Sequence, residues 1–184
     1  MSDNAEVLVW RVEAGERIAR AAKMLAWLAK HEIVEALPTD SGLGSLAHRP
    51  GKRVKDVVVA QEDGVADFLT LVTNGMEVEH SPTPRLYGAG DEVPTFRCPA
   101  CNNELAEADV LGELDKPAHP FLPVPQVGCS KCDQRTKVTM VVVEGGAFGN
   151  LALRFWNWWP LQASFVEELS GICGSAPVTI HEHV

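Results

Sequence analysis

No apolar run in this 184-residue chain is long enough to span a bilayer. The longest, Val138 to Val143, is short and already interrupted by Thr139. Basic excess is also missing. The formal net charge is −9, which excludes nucleic-acid or anionic-membrane binding by the surface as a whole. The opening Met1-Ser2-Asp3-Asn4-Ala5-Glu6 has neither the basic segment nor the apolar segment of a secretory signal, so a cytoplasmic location is expected. Catalytic signatures are absent as well: there is no GxSxG, no HExxH, no GxxxxGK[ST] and no GxGxxG after a strand. Gly42-Leu43-Gly44 is too short a pattern to use, and Glu167-Glu168 reads as a solvated helix surface. No repeat or low-complexity tract stands out. Enzymatic activity therefore has no residue-level support, although a site built from scattered residues leaves no such signature.

What is present is an ordinary globular composition, 46% hydrophobic and 22% charged, with enough apolar side chains for a sizeable core. It also carries five cysteines, four of them in two CxxC pairs: Cys98-Pro99-Ala100-Cys101 and Cys129-Ser130-Lys131-Cys132. A CxxC loop can point two thiolates at one ion, and two such loops supply the four soft ligands of a tetrahedral zinc site. Four thiolates leave no open coordination position, so the expected cofactor is a structural Zn²⁺ rather than a catalytic one. Such a centre supplies folding free energy to a segment with a thin core of its own. It also fits a reducing compartment better than a disulfide framework does. Redox chemistry at one pair would leave the other unexplained.

Along the chain, Glu6 to Val12 reads as a strand, and Ala14 to His31 as a helix with an apolar stripe of Ile18, Ala22, Leu25 and Ala29. Ile33 to Leu37 extends it until Pro38, and Thr39 to Gly51 is loop. Lys52 to Ala60 predicts a strand, and Val65 to Thr73 fits either period. Asn74-Gly75 marks a turn, and Met76 to His80 is a half-exposed strand ended by Ser81-Pro82-Thr83-Pro84. A glycine-rich connector, Tyr87 to Pro94, leads into the cysteine region. Between the CxxC pairs, the acidic Glu104 to Asp115 allows a helical turn. The segment with Pro117, Pro120, Pro123 and Pro125 cannot be helical throughout. Thr136 to Glu144 is a β-prone run broken by Gly145-Gly146. Phe148 to Trp156 is a strand or buried segment, Leu161 to Ser170 a helix capped by Gly171 or Gly174, and Val178 to His183 a closing strand. The predicted fold class is α+β: a mixed sheet with two main helices and an inserted four-cysteine zinc ribbon. The parts are residues 1–92, a ribbon over 93–143, and a strand–helix–strand over 144–184 that completes the domain.

Three further features have both a functional and a plainer reading. Trp156, Trp158 and Trp159 are candidate partner-binding residues, since exposed tryptophans are favoured interface anchors, or else they fill the core. If the segment is extended, Phe155, Asn157 and Trp159 share one face, and Trp156 and Trp158 the other. Arg49, Lys52, Arg53 and Lys55, together with Arg135 and Lys137 behind the second CxxC pair, are candidate nucleic-acid contacts. The plainer reading is a solvated turn, and the balance of four basic to six acidic residues from Cys98 to Met140 argues against phosphate tracking. His181 and His183 form an HxH pair with no third ligand in view. His119 lies in the cysteine spacer of an already filled site, and Cys173 reads as a small core residue.

The CPxC…CxxC arrangement over residues 93 to 143 resembles zinc-ribbon proteins, a resemblance specific for metal and silent on activity. The ribbon is followed by Gly146-Ala147-Phe148-Gly149, Leu151-Ala152-Leu153-Arg154-Phe155-Trp156 and Trp159-Pro160-Leu161, which resembles a group of small bacterial proteins without assigned activity. The expectation is a non-enzymatic, zinc-stabilised protein of bacterial type that binds another protein. By analogy of class, it would act as immunity or antitoxin-like proteins do when they neutralise a partner. A nucleic-acid-binding zinc ribbon is the alternative.

Overall fold

The computed structural model describes residues 3–61, 67–88, 94–114 and 125–184. Among these residues ten strands follow the order β1 (Asn4–Trp10), β2 (Val34–Thr39), β3 (Ala47–Pro50), β4 (Met76–Gly88), β5 (Thr95–Arg97), β6 (Gln126–Gly128), β7 (Arg135–Lys137), β8 (Val142–Glu144), β9 (Gly146–Trp156) and β10 (Val178–His183). Among the described residues three α-helices join them: α1 (Arg17–Lys30), α2 (Glu107–Leu114) and α3 (Ala163–Cys173). Strands β10-β1-β9-β4-β3-β2 form one sheet, and β5 with β8 and β6 with β7 form two small ones. The class is α+β with a four-cysteine cluster. Every pairing in the large sheet is antiparallel, where a mixed sheet was expected. Among the described residues, no helix is long and apolar enough to cross a membrane.

β9 is the centre of the sheet because its sequence tolerates burial on both faces. Leu151, Leu153 and Phe155 point to the helices, while Ala152 and Trp156 point the other way. On the helix side, Leu8 and Trp10 of β1 and Met76 of β4 meet Ala21, Met24 and Leu28 of α1 and Phe165, Leu169 and Cys173 of α3. The buried stripe of α1 is thus Ala21, Met24 and Leu28, whereas Ile18 of the predicted stripe is exposed. In a helix rich in alanine and leucine, two neighbouring stripes both satisfy helical spacing, and packing chooses between them. α3 stops at Gly174, whose φ of 89° is left-handed and whose N–H caps Ser170 O at 2.8 Å.

Elsewhere local propensity is overruled. Ile33 to Leu37 does not prolong α1. His31 and Glu32 turn the chain, Glu32 with φ 56°, and β2 begins as the sheet's edge, where Pro38 is tolerated. The loop expected over residues 39–51 contains β3. The Val57-Val58-Val59 strand is instead a 3₁₀ turn over Val54–Asp56 followed by one bridge, Val58 to Leu161. Described residues of the ambiguous 65–73 segment form another 3₁₀ turn, Phe68–Thr70. Prolines 82 and 84 do not end β4. A register shift between His80 and Arg85 absorbs them, and the strand runs on to Gly88. The β-prone run after Cys132 is divided into β7, a 3₁₀ turn and β8. Residues 89–93 of the glycine-rich connector, Pro117, Pro120 and Pro123, and His119 lie outside the described residues.

β1 pairs with β9 only as far as Trp10–Leu151, while β4 and β9 continue together from Arg85–Gly149 to Gly88–Gly146. This two-stranded arm carries Leu86 and Phe148 to the cysteine-bearing segment. There they join a separate cluster of Phe96, Leu105, Val110, Val127, Val138 and Val141. Arg11 reaches the same segment through bonds to the backbone and hydroxyl of Thr139.

Candidate metal centre

The two CxxC loops are copies of one backbone design. In the first, Cys98 N–H donates to Asn103 O at 2.8 Å and Asn102 N–H to Cys98 O at 2.9 Å. In the second, Cys129 N–H donates to Gln134 O at 2.9 Å and Asp133 N–H to Cys129 O at 2.9 Å. The residue after each second cysteine takes the left-handed conformation, Asn102 with φ 57° and Asp133 with φ 55°. Asn and Asp are among the non-glycine residues that reach that region at least cost. Outside each loop the chain is paired across equivalent positions, Arg97 with Glu104 and Gly128 with Arg135. Each hairpin thereby presents both sulfurs on one side.

The four sulfurs lie within 4.8 Å of one another, with Cys98–Cys132 at 3.8 Å and Cys101–Cys129 at 3.6 Å. A tetrahedron with metal–sulfur bonds of about 2.3 Å has edges of about 3.8 Å. Those two contacts, which run between hairpins rather than within them, already match that edge. Cys98 and Cys129 are buried, and Cys101 and Cys132 are partly covered. The arrangement can hold a metal ion.

The electrostatics point the same way. Backbone N–H groups of Lys131 and Cys132 aim at the Cys129 sulfur and bring its pKa down to about 7. The Gln134 amide favours a thiolate at Cys132, but burial and the three neighbouring sulfurs outweigh it and push that pKa up to about 12. Four sulfurs at this spacing cannot all ionise beside one another without a cation, and a bound dication removes that obstacle.

The tryptophans lie elsewhere and face inward. Trp156 Nε1 donates to Glu77 Oε1 at 2.6 Å, and Trp158 Nε1 to Asn74 O at 2.7 Å; both rings are buried. Trp159 is partly exposed, edge-on to Phe68 at 5.3 Å with Lys55 5.6 Å above its ring. The predicted alternation fails because Asn157 is left-handed, with φ 55°. It turns the chain so that Trp158 meets Phe155 at 5.0 Å on the helix side. Trp156 and Trp158 therefore do not form an exposed anchor.

The basic residues are divided. Lys52 pairs with Glu32 at 3.5 Å, Arg53 with Asp56 at 2.8 Å and Lys55 with Asp67 at 3.0 Å. Arg49 reaches the buried Asn74 at 3.4 Å. Arg49, Lys52 and Lys55 border one open cleft of about 570 Å³, together with Glu32 and Glu35. Arg135 and Lys137 are exposed on β7, in the cysteine-bearing segment and not beside that cleft. His181 is exposed, and His183 bonds to Asn4; neither belongs to a group of potential metal ligands among the described residues.

Sequence reading missed a charged network on the sheet face opposite the helices. Arg154 bonds Glu79 at 2.8 Å and also Glu182, so that β4, β9 and β10 are tied across one face. Burial disfavours the Arg154 cation, but the two carboxylates outweigh it and keep it charged. Burial raises Glu182 above the ordinary carboxylate range despite Arg154. The available signal was polar residues at alternate strand positions, Glu77, Glu79, Arg154 and Glu182, which read equally well as solvated.

In comparisons with family models, curated proteins and solved structures, nothing matches this chain.

Proposed function

We propose that this is a non-enzymatic binding protein of bacterial type whose four cysteines hold one structural Zn²⁺ and whose partner is another protein. The observation that carries the metal part is the set of sulfur separations, which suits a closed four-thiolate tetrahedron with no position left for water or substrate. Zinc is favoured over iron as the ion whose common structural role is to brace such hairpins. The partner part rests on charge. The net −9 is joined by cations already engaged with acids, at Lys52, Arg53, Lys55, Arg97 and Arg154. The remaining surface suits a basic protein, as an immunity or antitoxin-like role in the cytoplasm would require, and complementary charge would speed the encounter. The nucleic-acid alternative is supported by Arg135 and Lys137, exposed on the metal-binding segment.

Elemental analysis of protein purified without added metal tests the first part: one zinc per chain is expected, and a chain with no metal overturns it. Capture from lysate of the source cells, followed by reconstitution of a binary complex from the pure components, tests the second. A basic protein partner is expected; a salt-sensitive oligonucleotide complex without any protein complex would replace this reading with the alternative.

A further inference from the structure

The sheet face opposite the helices is short of a cation. Glu77 and Arg154 stand opposite each other in the β4–β9 register, and Glu79 from β4 and Glu182 from β10 bond the same guanidinium. Three carboxylates thus surround one arginine, and among the described residues the exposed Arg85 of the arm pairs with none of them. Each glutamate is held through a single oxygen: Glu77 Oε1 by Trp156 and Ser45, Glu79 Oε1 and Glu182 Oε2 by Arg154. Among the described residues, the second oxygen of each accepts no hydrogen bond from a side chain or backbone N–H. Past the register shift of β4, the two-stranded arm brings Tyr87 to this face, where it packs in one cluster with Val7, Ala152 and Trp156. Tyr87 is only 5% exposed, and its hydroxyl has no hydrogen-bond partner. Burial, then the charge of Glu79, push its pKa up to about 12, and Arg85 and Arg154 act on it in the opposite sense. The hydroxyl therefore stays protonated and looks into the carboxylate cluster. An orphaned hydroxyl at this depth is a cost that a bound ligand would remove.

We propose, resting on the protein-binding function above, that this cluster receives the ammonium group of a lysine carried by the basic partner. The chemistry of the acceptors selects that group. A single metal ion does not suit them, because among the described residues only the four cysteines bring three or more ligand atoms together. A guanidinium asks for both oxygens of one carboxylate, and here one of each pair is already taken. An ammonium is a compact charge whose three N–H donors suit acceptors on separate groups: the open oxygens of Glu79 and Glu182 and the Tyr87 hydroxyl oxygen. The side chains of Glu79, Arg154 and Glu182 are 26%, 14% and 10% exposed, so the cluster opens to solvent at Glu79 and is covered elsewhere. A charge placed there is shielded from water on most sides, which strengthens its attraction to the carboxylates.

The probe is n-butylammonium chloride, a lysine side chain without its backbone, titrated into the full metal-bound chain. The Arg154 Nε–H and Trp156 indole N–H signals are followed by NMR, with sodium chloride at equal ionic strength as the control. A saturable shift that sodium chloride does not produce is expected. Tyr87→Phe removes a hydroxyl that bonds nothing, so its melting temperature is expected to be unchanged or higher. Binding of the probe is expected to weaken about tenfold in Tyr87→Phe and again in Glu79→Gln. If Glu79→Gln fails to fold, Tyr87→Phe alone decides. A shift that does not saturate overturns the proposal, and so does binding that Tyr87→Phe leaves unchanged. No partner is present in this titration, so either result leaves the protein-binding function standing. Saturable, Tyr87-dependent binding beside a failed capture of any protein would instead support the ammonium site and count against the partner.

Discussion

The large sheet and the cysteine-bearing segment solve the same problem with different materials. The sheet buries Trp10, Phe155, Phe165 and several leucines between itself and two helices. The segment has Phe96, Leu105, Val110 and a few valines over strands of three residues each, too short to hold register alone. Its hairpins are instead fixed by left-handed Asn102 and Asp133 and by the sulfurs that meet between them. A region with a large apolar core can do without an ion, and one with a small core is where a bound ion would contribute most.

The largest expected effect removes the ion. Chelation, or Cys98→Ser with the metal site left incomplete, is expected to unfold β5 to β8 and leave the large sheet folded. Four-thiolate zinc sites contribute on the order of 10 kcal/mol in small domains. Hydrogen exchange by mass spectrometry checks this: protection lost over residues 95–144 and kept over β1 and β9 is the expected pattern. Uniform loss would show that the two regions are not separate in stability.

Phe155→Ala in the sheet core has the converse effect, lowering global stability by about 3–5 kcal/mol in chemical denaturation. The sulfur geometry should survive it, visible as an unchanged thiolate-to-metal absorption band after cobalt substitution. Next comes Trp158→Phe, which keeps an aromatic ring but removes part of the indole, loses the bond to Asn74 O and leaves that carbonyl buried. A cost of about 1–2 kcal/mol is expected from the same denaturation curves.

Acidity separates the regions by sign. Burial raises the pKa of Glu6 in the sheet despite the Leu161 N–H and His181, whereas Arg97 lowers that of Glu144 in the cysteine-bearing segment. A raised carboxylate binds more protons folded than unfolded, so its cost is present above the raised value and vanishes as pH falls through it toward 4.5. A lowered one contributes stability above 4.5 that is lost as pH falls through the depressed value. Glu6→Gln should therefore flatten the pH dependence of melting just above pH 4.5. Glu144→Gln should alter it only below that pH. The smallest effect is expected for Lys52→Ala, which loses an exposed pair with Glu32: less than about 0.5 kcal/mol.

The four-cysteine cluster was legible in the sequence because its chemistry is local, two CxxC loops whose residue types and spacing carry the geometry. The central strand β9, the two main helices and the terminal strands were legible because their apolar patterns run long enough to show a period. What escaped depends on partners distant in sequence. β2 is a strand because β3 stands beside it, β4 survives two prolines because a register shift removes them from the ladder, and Arg154 is tolerated half-buried because Glu79 and Glu182 arrive from other strands. Trp158 alone leaves the predicted alternation, and a single residue accounts for it: Asn157 in a left-handed conformation turns the chain after Trp156.

Gly88 and Gly146 stand opposite each other, although a long stretch of chain separates them. During folding, β4 and β9 must find one another across that stretch, and each doubling of a loop costs about 0.6 kcal/mol in closure entropy. Thr95 pairs with Glu144 inside the cysteine-bearing segment. If that segment closes first around its ion, the loop left for β4 and β9 shrinks to its short flanks, two or three halvings that spare about 1.5 kcal/mol of the barrier. A bound ion would then be a kinetic device as much as a brace, and its supply would set how quickly the two halves of the sheet meet.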